Sequence, residues 1–422
     1  MHLENLKNHT INISKHQGCL SCTIDLPTSK SESNRALIIA ALAPEGAILH
    51  NLSNARDTQT MQRLLASGSK TLDVLDAGTT MRFLIAWSAL TGQNKILTGT
   101  DRMKERPVQI LIDALRAIGA KIDYLEKEGF PPVETKSFPA QLQNNIEIRG
   151  DISSQYISAL LMLAPLLPRG LKLTITSKTG SKPYIEMTLQ LMRKFGARAT
   201  FVSNNKIKVK PGLYKKISHT IEPDWSGASY WYSMLALAKD GSINLPGLLK
   251  DSLQGDQAIV EIMNPLGIHT KFTTEGIQLT KKEKAKKVEI DFSDHPDLAQ
   301  TIAVVCAASG IKGEFTGLES LRIKETDRIT ALQTELNKIG ASLTEPTPGT
   351  WLLTPPAQTN SQPLRFATYD DHRMAMAFAP LAMQFPLQIE SPDVVNKSYP
   401  DFWKDLRKVG FANSKPAGER KI

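Results

Sequence analysis

Arg35, Arg82 and Arg373 stand in the first turns of three apolar helical stretches, "SESNRALIIAALAPEG", "GTTMRFLIAWSALTG" and "DDHRMAMAFAPLAM". A helix N-terminus carries partial positive charge, so a cation there opposes the dipole. A bound anion reverses that sign, because the free N–H groups and the arginine then act on the same ligand. More cations gather in short motifs. Lys30 precedes Arg35, "TDRMKERPVQ" carries Arg102, Lys104 and Arg106, "SKPY" carries Ser181, Lys182 and Tyr184, and "NKSYPDF" carries Lys397. Pro107 suits the first position of the helix that follows, and the residue before a proline avoids helix, which puts Arg106 on a loop. In "RIKETDRITAL", Lys324 and Arg328 are four apart on one helical face, a like-charge pair that costs stability. Glu325 and Asp327 could neutralise them, leaving a solvated charged face as the alternative. Arginine clamps carboxylate or phosphate with a planar fork, and lysine is a point charge that can carry a proton. The pattern therefore suits a ligand with more than one negative group. Asp297 and Glu325 are the acids best placed as general base or acid, provided burial offsets the surrounding cations.

These residues need elements to hold them, and the chain repeats two helix types. One is apolar almost all round and starts at a polar cluster; besides the three above, its copies are "SSQYISALLMLAPLLPRG", "SGASYWYSMLALAKDG" and "HPDLAQTIAVVCAASG". An all-round apolar helix is a buried one. The other is amphipathic and mostly ends in glycine before a strand-like run, as in "RPVQILIDALRAIGAKID" and "KETDRITALQTELNKIGASL". Six such pairs, with short strands between, predict an α/β fold of six units, three per lobe, with helices inside and sheets outside. The first unit is short. Ser, Thr, Asn and Asp at the helix starts, Ser153, Ser154 and Asp371 among them, are also the ordinary N-caps.

Bulk properties narrow the classes. The chain has 422 residues, 41% hydrophobic, with a formal charge of +9. That charge favours anionic partners without separating nucleic acid from a small phosphorylated ligand. No apolar run approaches the 18 or more residues of a membrane span, and the N-terminus lacks a secretory h-region. Three cysteines give neither a disulfide framework nor a zinc site, so a reducing cytoplasm is the expected compartment. No GxxxxGK[ST], GxGxxG or GxSxG motif occurs, and His295 and His372 lack spaced partners for a metal. Cys306, in "TIAVVCAASG", reads as a small core residue. No metal and no cofactor are expected.

Taken in order, "SKSESNRALIIAALA", "DAGTTMRFL", "DRMKERP", "SSQYISALLMLAPL", "SKPYIEMTLQLM", "PDLAQTIA", "RIKETDRITAL", "DDHRMAMAFAPLA" and "NKSYPDF" resemble the EPSP synthases of the enolpyruvyl transferase family over nearly the whole length. The resemblance implies a two-lobed inside-out α/β barrel-like fold of six βαβαββ-type units. The lobes would be residues 1–28 with 222–422, and residues 29–221, closing on substrate. It implies transfer of the enolpyruvyl group of phosphoenolpyruvate to the 5-hydroxyl of shikimate 3-phosphate by addition and elimination, in a cytoplasmic protein expected to be a monomer. Carried over by motif, Lys30, Ser31, Arg35, Ser153, Ser154, Gln155, Ser181, Tyr184, Asp297 and Lys324 would hold shikimate 3-phosphate. Lys30, Gly78, Arg106, Gln155, Arg328, Arg373 and Lys397 would hold phosphoenolpyruvate. Asp297 would take the hydroxyl proton, Glu325 would protonate the methylene carbon, and Lys30 is the competing proton carrier. Glyphosate would compete with phosphoenolpyruvate at Gly78.

The chain departs from the pattern at Asp76, where the family often has Asn, and at Phe83, where many members have Pro. Asp76 brings an acid beside the phosphoenolpyruvate residues and is not assigned a contact. A sister family that uses UDP-N-acetylglucosamine typically has a loop cysteine near "TDRMKE" and lacks "KETDR", which argues against it here. A nucleic-acid-binding protein would interleave aromatic and basic residues, whereas these cations cluster at helix starts. A catalytically dead homologue would not need Lys30, Asp297, Glu325, Arg328 and Arg373 together.

Overall fold

A computed structural model describes residues 9–177, 180–357 and 363–414. The C-terminal stretch "SKPAGERKI", residues 414–422, reads from its sequence as a frayed tail; from residue 415 onward it lies outside the described residues. By contacts the chain divides into two compact units. The first comprises Met1–Pro27, Glu222–Ser252 and Asp256–Ile422; the second comprises Thr28–Ile221 with Leu253–Gly255.

Each unit is organised around three of the all-apolar helices. In the second unit these are Lys30–Leu42, Gly78–Leu90 and Ser154–Leu163. In the first they are Trp225–Leu237, Ala299–Ser309 and His372–Phe378. Apolar residues on every face leave burial as the only stable location, and each helix is packed in its unit's core, with Ile38, Leu84 and Leu160 in one and Trp231, Val304 and Phe378 in the other fully buried. Each such side chain contributes about 1.5–3 kcal/mol on burial. An arginine opposing a helix dipole costs only about 0.3–1 kcal/mol, so misplaced charge at these helix starts does not threaten the fold.

The amphipathic helices, Arg56–Leu65, Gln109–Ile118, Lys182–Lys194, Ile259–Met263, Arg328–Lys338 and Phe402–Lys408, alternate with the buried ones. Five of them are followed by a glycine at positive φ, Gly119, Gly196, Gly267, Gly340 and Gly410, where the chain turns into a strand or loop.

Among the described residues, five four-stranded sheets share one pattern, a parallel pair continued by two antiparallel strands. Lys287–Asp291 runs parallel to Lys312–Thr316, which pairs antiparallel with Thr350–Thr354 and through it with Ser342–Thr347. The strands bury one face, as in Asn145–Ile148 and Lys206–Val209, where Ile146, Ile148, Ile207 and Val209 point inward between exposed neighbours. The sixth sheet has two strands, Ile48–His50 parallel to Ser218–Thr220, matching the short first unit in the sequence.

Two local expectations are corrected. Pro107 is not the first helical residue: that helix starts at Gln109 with Val108 as its cap. The Pro107 carbonyl instead accepts from Arg82 Nη2 (3.1 Å) and the Tyr156 hydroxyl (2.6 Å), which holds it outside the helix. Arg106 does lie between helices, because Asp101–Lys104 forms its own short helix capped by Thr100. Lys324 and Arg328 do not share a helical face. Asp327 caps the helix that begins at Arg328, and Lys324 precedes it in extended backbone.

Candidate active site

In the first unit, one guanidinium organises the predicted residues. Arg328, 1% exposed, opens its helix with Asp327 bonded to the N–H groups of Ile329 and Thr330. Its Nε donates to Asp371 Oδ2 (2.6 Å), Nη1 to Asp297 Oδ1 (3.0 Å) and Nη2 to Glu325 Oε2 (2.9 Å). Arg373 donates from Nη2 to Asp297 Oδ2 (2.8 Å) and from Nη1 to the Asp297 carbonyl (3.0 Å). Lys324 Nζ lies 3.9 Å from Asp297 Oδ1. Three acids thus face three cations, and the carboxylates occupy the arginine forks that an anionic ligand would need. Asp371 does double work: its Oδ1 accepts from the N–H of Arg373, capping the helix His372–Phe378.

Burial alone would raise the Asp297 pKa, but Arg373, Lys324 and Arg328 together outweigh it and hold the carboxyl well below the usual carboxylate range. For Arg328, burial is likewise opposed, by Asp371, Glu325 and Asp297, and the guanidinium stays above its ordinary value. Lys397 is 1% exposed in the turn Pro392–Lys397, which packs on the helix carrying Arg373.

In the second unit, Arg35 is 2% exposed, and no carboxylate among the described residues pairs with it. It donates to Thr188 Oγ1 (2.7 Å), the Ser31 carbonyl (2.9 Å) and, at 3.4 Å, Ser158 Oγ. The rings of Phe83 and Tyr184 lie 5.5 and 5.8 Å from its Cζ. Burial pulls its pKa down to about 10, with Tyr184 opposing that shift. A buried cation held only by neutral groups retains charge for a ligand, and its contacts bring Ser31, the helix of Ser153 and Ser154, and Tyr184 together. Ser153 caps that helix by accepting from the N–H of Gln155 (3.3 Å), as the capping alternative allowed. Ser181 precedes the Tyr184 helix with φ 56°.

Lys30 Nζ is 3.2 Å from the buried Asp57 Oδ2. Gln155 Nε2 donates to Thr79 Oγ1 (3.1 Å), linking its helix to the one that Gly78 begins. The Arg106 guanidinium packs against Gly78: a Cβ there would lie 2.7–2.9 Å from Nη1, Nη2 and Cζ. Arg82 answers its own helix start differently. It donates to the carbonyls of Gly78 (3.2 Å) and Pro107 (3.1 Å), a structural role that the dipole argument did not foresee.

Asp57 and the clamping role of Asp371 escaped the sequence reading. An acid in the first turn or at the cap of a helix is what the dipole and capping rules already predict, so neither position signalled a cation partner.

The family model for EPSP synthase (3-phosphoshikimate 1-carboxyvinyltransferase) matches residues 15–68 and 64–406. A 3-phosphoshikimate 1-carboxyvinyltransferase of Bacteroides fragilis (strain YCH46) is 48% identical over 396 residues, covering 93% of this chain and 96% of the relative. One from Citrobacter koseri is 37% identical over 426 residues, covering 92% and 96%. Among solved structures, an EPSP synthase from Acinetobacter baumannii matches with a TM-score of 0.76 at 19% identity, covering 96% of this chain and 99% of that one. That last likeness concerns the fold.

Proposed function

The chain belongs to the EPSP synthase family, and from that premise we propose how its residues move the enolpyruvyl group of phosphoenolpyruvate to the 5-hydroxyl of shikimate 3-phosphate. That transfer, in the shikimate pathway, is the activity of the chain. In this proposal residues of both units serve the one reaction.

Both substrates are phosphorylated carboxylates, so each brings anions to cations now held by carboxylates or by neutral oxygens. Arg35 with Ser31, Ser153, Ser154, Ser181, Tyr184 and Lys324 binds shikimate 3-phosphate. Gly78, Arg106, Gln155, Arg328, Arg373 and Lys397 bind phosphoenolpyruvate, with Lys30 serving both. The observation that carries this reading is that Asp297 and Glu325 share the Arg328 guanidinium. A phosphoenolpyruvate carboxylate on Arg328 and Arg373 replaces them there. Both carboxyls then lose cationic partners and become more basic. Asp297 is freed to accept the 5-hydroxyl proton, and Glu325 to gain and deliver one.

Protonation of the methylene carbon makes the adjacent carbon electrophilic. The hydroxyl oxygen attacks it as its proton passes to Asp297, giving a tetrahedral adduct. Loss of a proton from the new methyl group and departure of phosphate restore the enol ether. A second reading gives the donor role to Lys30, since the ammonium held by Asp57 already carries a proton.

The proposal includes a cytoplasmic location and a monomeric state. No helix among the described residues is long and apolar enough to cross a membrane. Phosphate release measured with each substrate alone and with both tests the function. Release is expected only with both, and no release with both overturns it.

A further inference from the structure

Asp76 is an acid two residues before Gly78, the residue against which the Arg106 guanidinium packs. Arg56 Nη2 donates to both carboxylate oxygens of Asp76, at 3.0 and 2.8 Å. Arg56 opens the helix Arg56–Leu65, and its neighbour Asp57 faces Lys30. The Asp57 carbonyl also accepts, at 3.4 Å, from the hydroxyl of Thr80, in the first turn of the helix that starts at Gly78. One dipeptide therefore reaches Lys30 through an acid side chain and the Gly78 segment through a carbonyl and an arginine.

We propose that Arg56 is a positioning residue for the phosphoenolpyruvate subsite, the counter-charge that lets an acid stand at Asp76 without repelling the substrate. The proposal rests on the enolpyruvyl-transfer reading for the identity of its ligand. Removing Arg56 leaves a less compensated carboxylate two residues before Gly78, and its negative charge competes with the anion that would bind at the segment over which the Arg106 guanidinium lies. Removing the Asp76 charge as well abolishes the competition. The Arg56 and Asp76 side chains are 43% and 30% exposed, so solvent screens the pair and its effect is modest. A charge at this range, screened by water, changes anion affinity roughly three- to ten-fold.

The test compares R56A with the double variant R56A/D76N in the full chain. R56A should raise the KM for phosphoenolpyruvate roughly three- to ten-fold, with kcat and the KM for shikimate 3-phosphate unchanged. The double variant should restore that KM to within about two-fold of the unsubstituted protein. An unchanged KM in R56A overturns the proposal, and so does a double variant as impaired as R56A. If the unsubstituted protein releases no phosphate with both substrates, the enolpyruvyl-transfer reading fails. The pair is then judged by titration with inorganic phosphate, whose affinity R56A must lower and D76N must restore; an unchanged affinity overturns it.

Discussion

Asp297 and Glu325 meet on one guanidinium, Arg328, whose Nη1 and Nη2 donate to them at 3.0 and 2.9 Å. In the proposed mechanism these two carboxylates have opposite tasks in proton transfer, and both are tied to the group that would bind a substrate carboxylate. Substrate arrival and activation of both acids would then be one event. If Glu325 is the donor, E325Q retains substrate affinity within a few-fold while turnover falls by roughly 10²–10⁴, because an amide cannot deliver the proton. Steady-state phosphate release reads both quantities, and unchanged turnover transfers the donor role to Lys30.

The pH dependence of stability follows from Asp297. Its folded pKa is depressed by Arg373, Lys324 and Arg328 against the opposing effect of burial. Such a group contributes stability that is fully present above the unfolded value, about 3.9. That contribution is lost as pH falls through the folded value. Acid should therefore destabilise the protein progressively below about pH 3.9, and D297N should flatten that part of the curve while changing little of the pH dependence at neutrality. Urea midpoints for both proteins between neutrality and acid check this. Equal acid dependence in the two would show that Asp297 is not held by these cations.

Much of this was legible in the sequence, and the reasons are physical. The six all-apolar helices announced themselves because no other location suits them, and the glycines after their amphipathic partners marked the turns. Arg35 stands out in the sequence because a cation at a helix start opposes the dipole, and the structure buries it among neutral groups. Arg82, singled out by the same logic, donates to the carbonyls of Gly78 and Pro107, partners invisible until the chain is folded. Lys324 and Arg328 looked like one helical face because the period of 3.6 was extended across Asp327, which in fact caps the helix. The clamp between Arg328 and Asp371 spans 43 positions, and only tertiary structure brings them together.

That clamp sets a stability prediction. Arg328 is 1% and Asp371 0% exposed, so removing the acid takes one of three carboxylates from a buried cation, a change that costs up to roughly 3–5 kcal/mol. Asp371 also caps its helix, a role Asn fills about as well and Ala does not. D371N should therefore lose most of the pair's share, and D371A a further ~0.5–2 kcal/mol. Urea unfolding of the two variants separates the contributions. D371N as stable as the unsubstituted protein would mean that Asp297 and Glu325 hold Arg328 without help.

Gly78 offers the test that separates crowding from folding. A methyl group there would meet the Arg106 guanidinium at 2.7–2.9 Å. That contact is with the far end of a flexible side chain, so Arg106 moves and the backbone stays. Gly78 is the first residue of its helix, where alanine is well tolerated, and G78A should unfold at an unchanged or slightly higher urea midpoint. The cost falls on the anion. Arg106 displaced from its place weakens a charge-assisted contact worth roughly 1.5–3 kcal/mol, so the KM for phosphoenolpyruvate should rise about ten-fold or more, with kcat little changed. Glyphosate, expected to compete with phosphoenolpyruvate in the unsubstituted protein, should lose potency in the same variant. Its inhibition constant, measured against varied phosphoenolpyruvate, decides the matter. Equal potency in both proteins would show that Arg106 keeps its position, and that Gly78 is needed for something other than space.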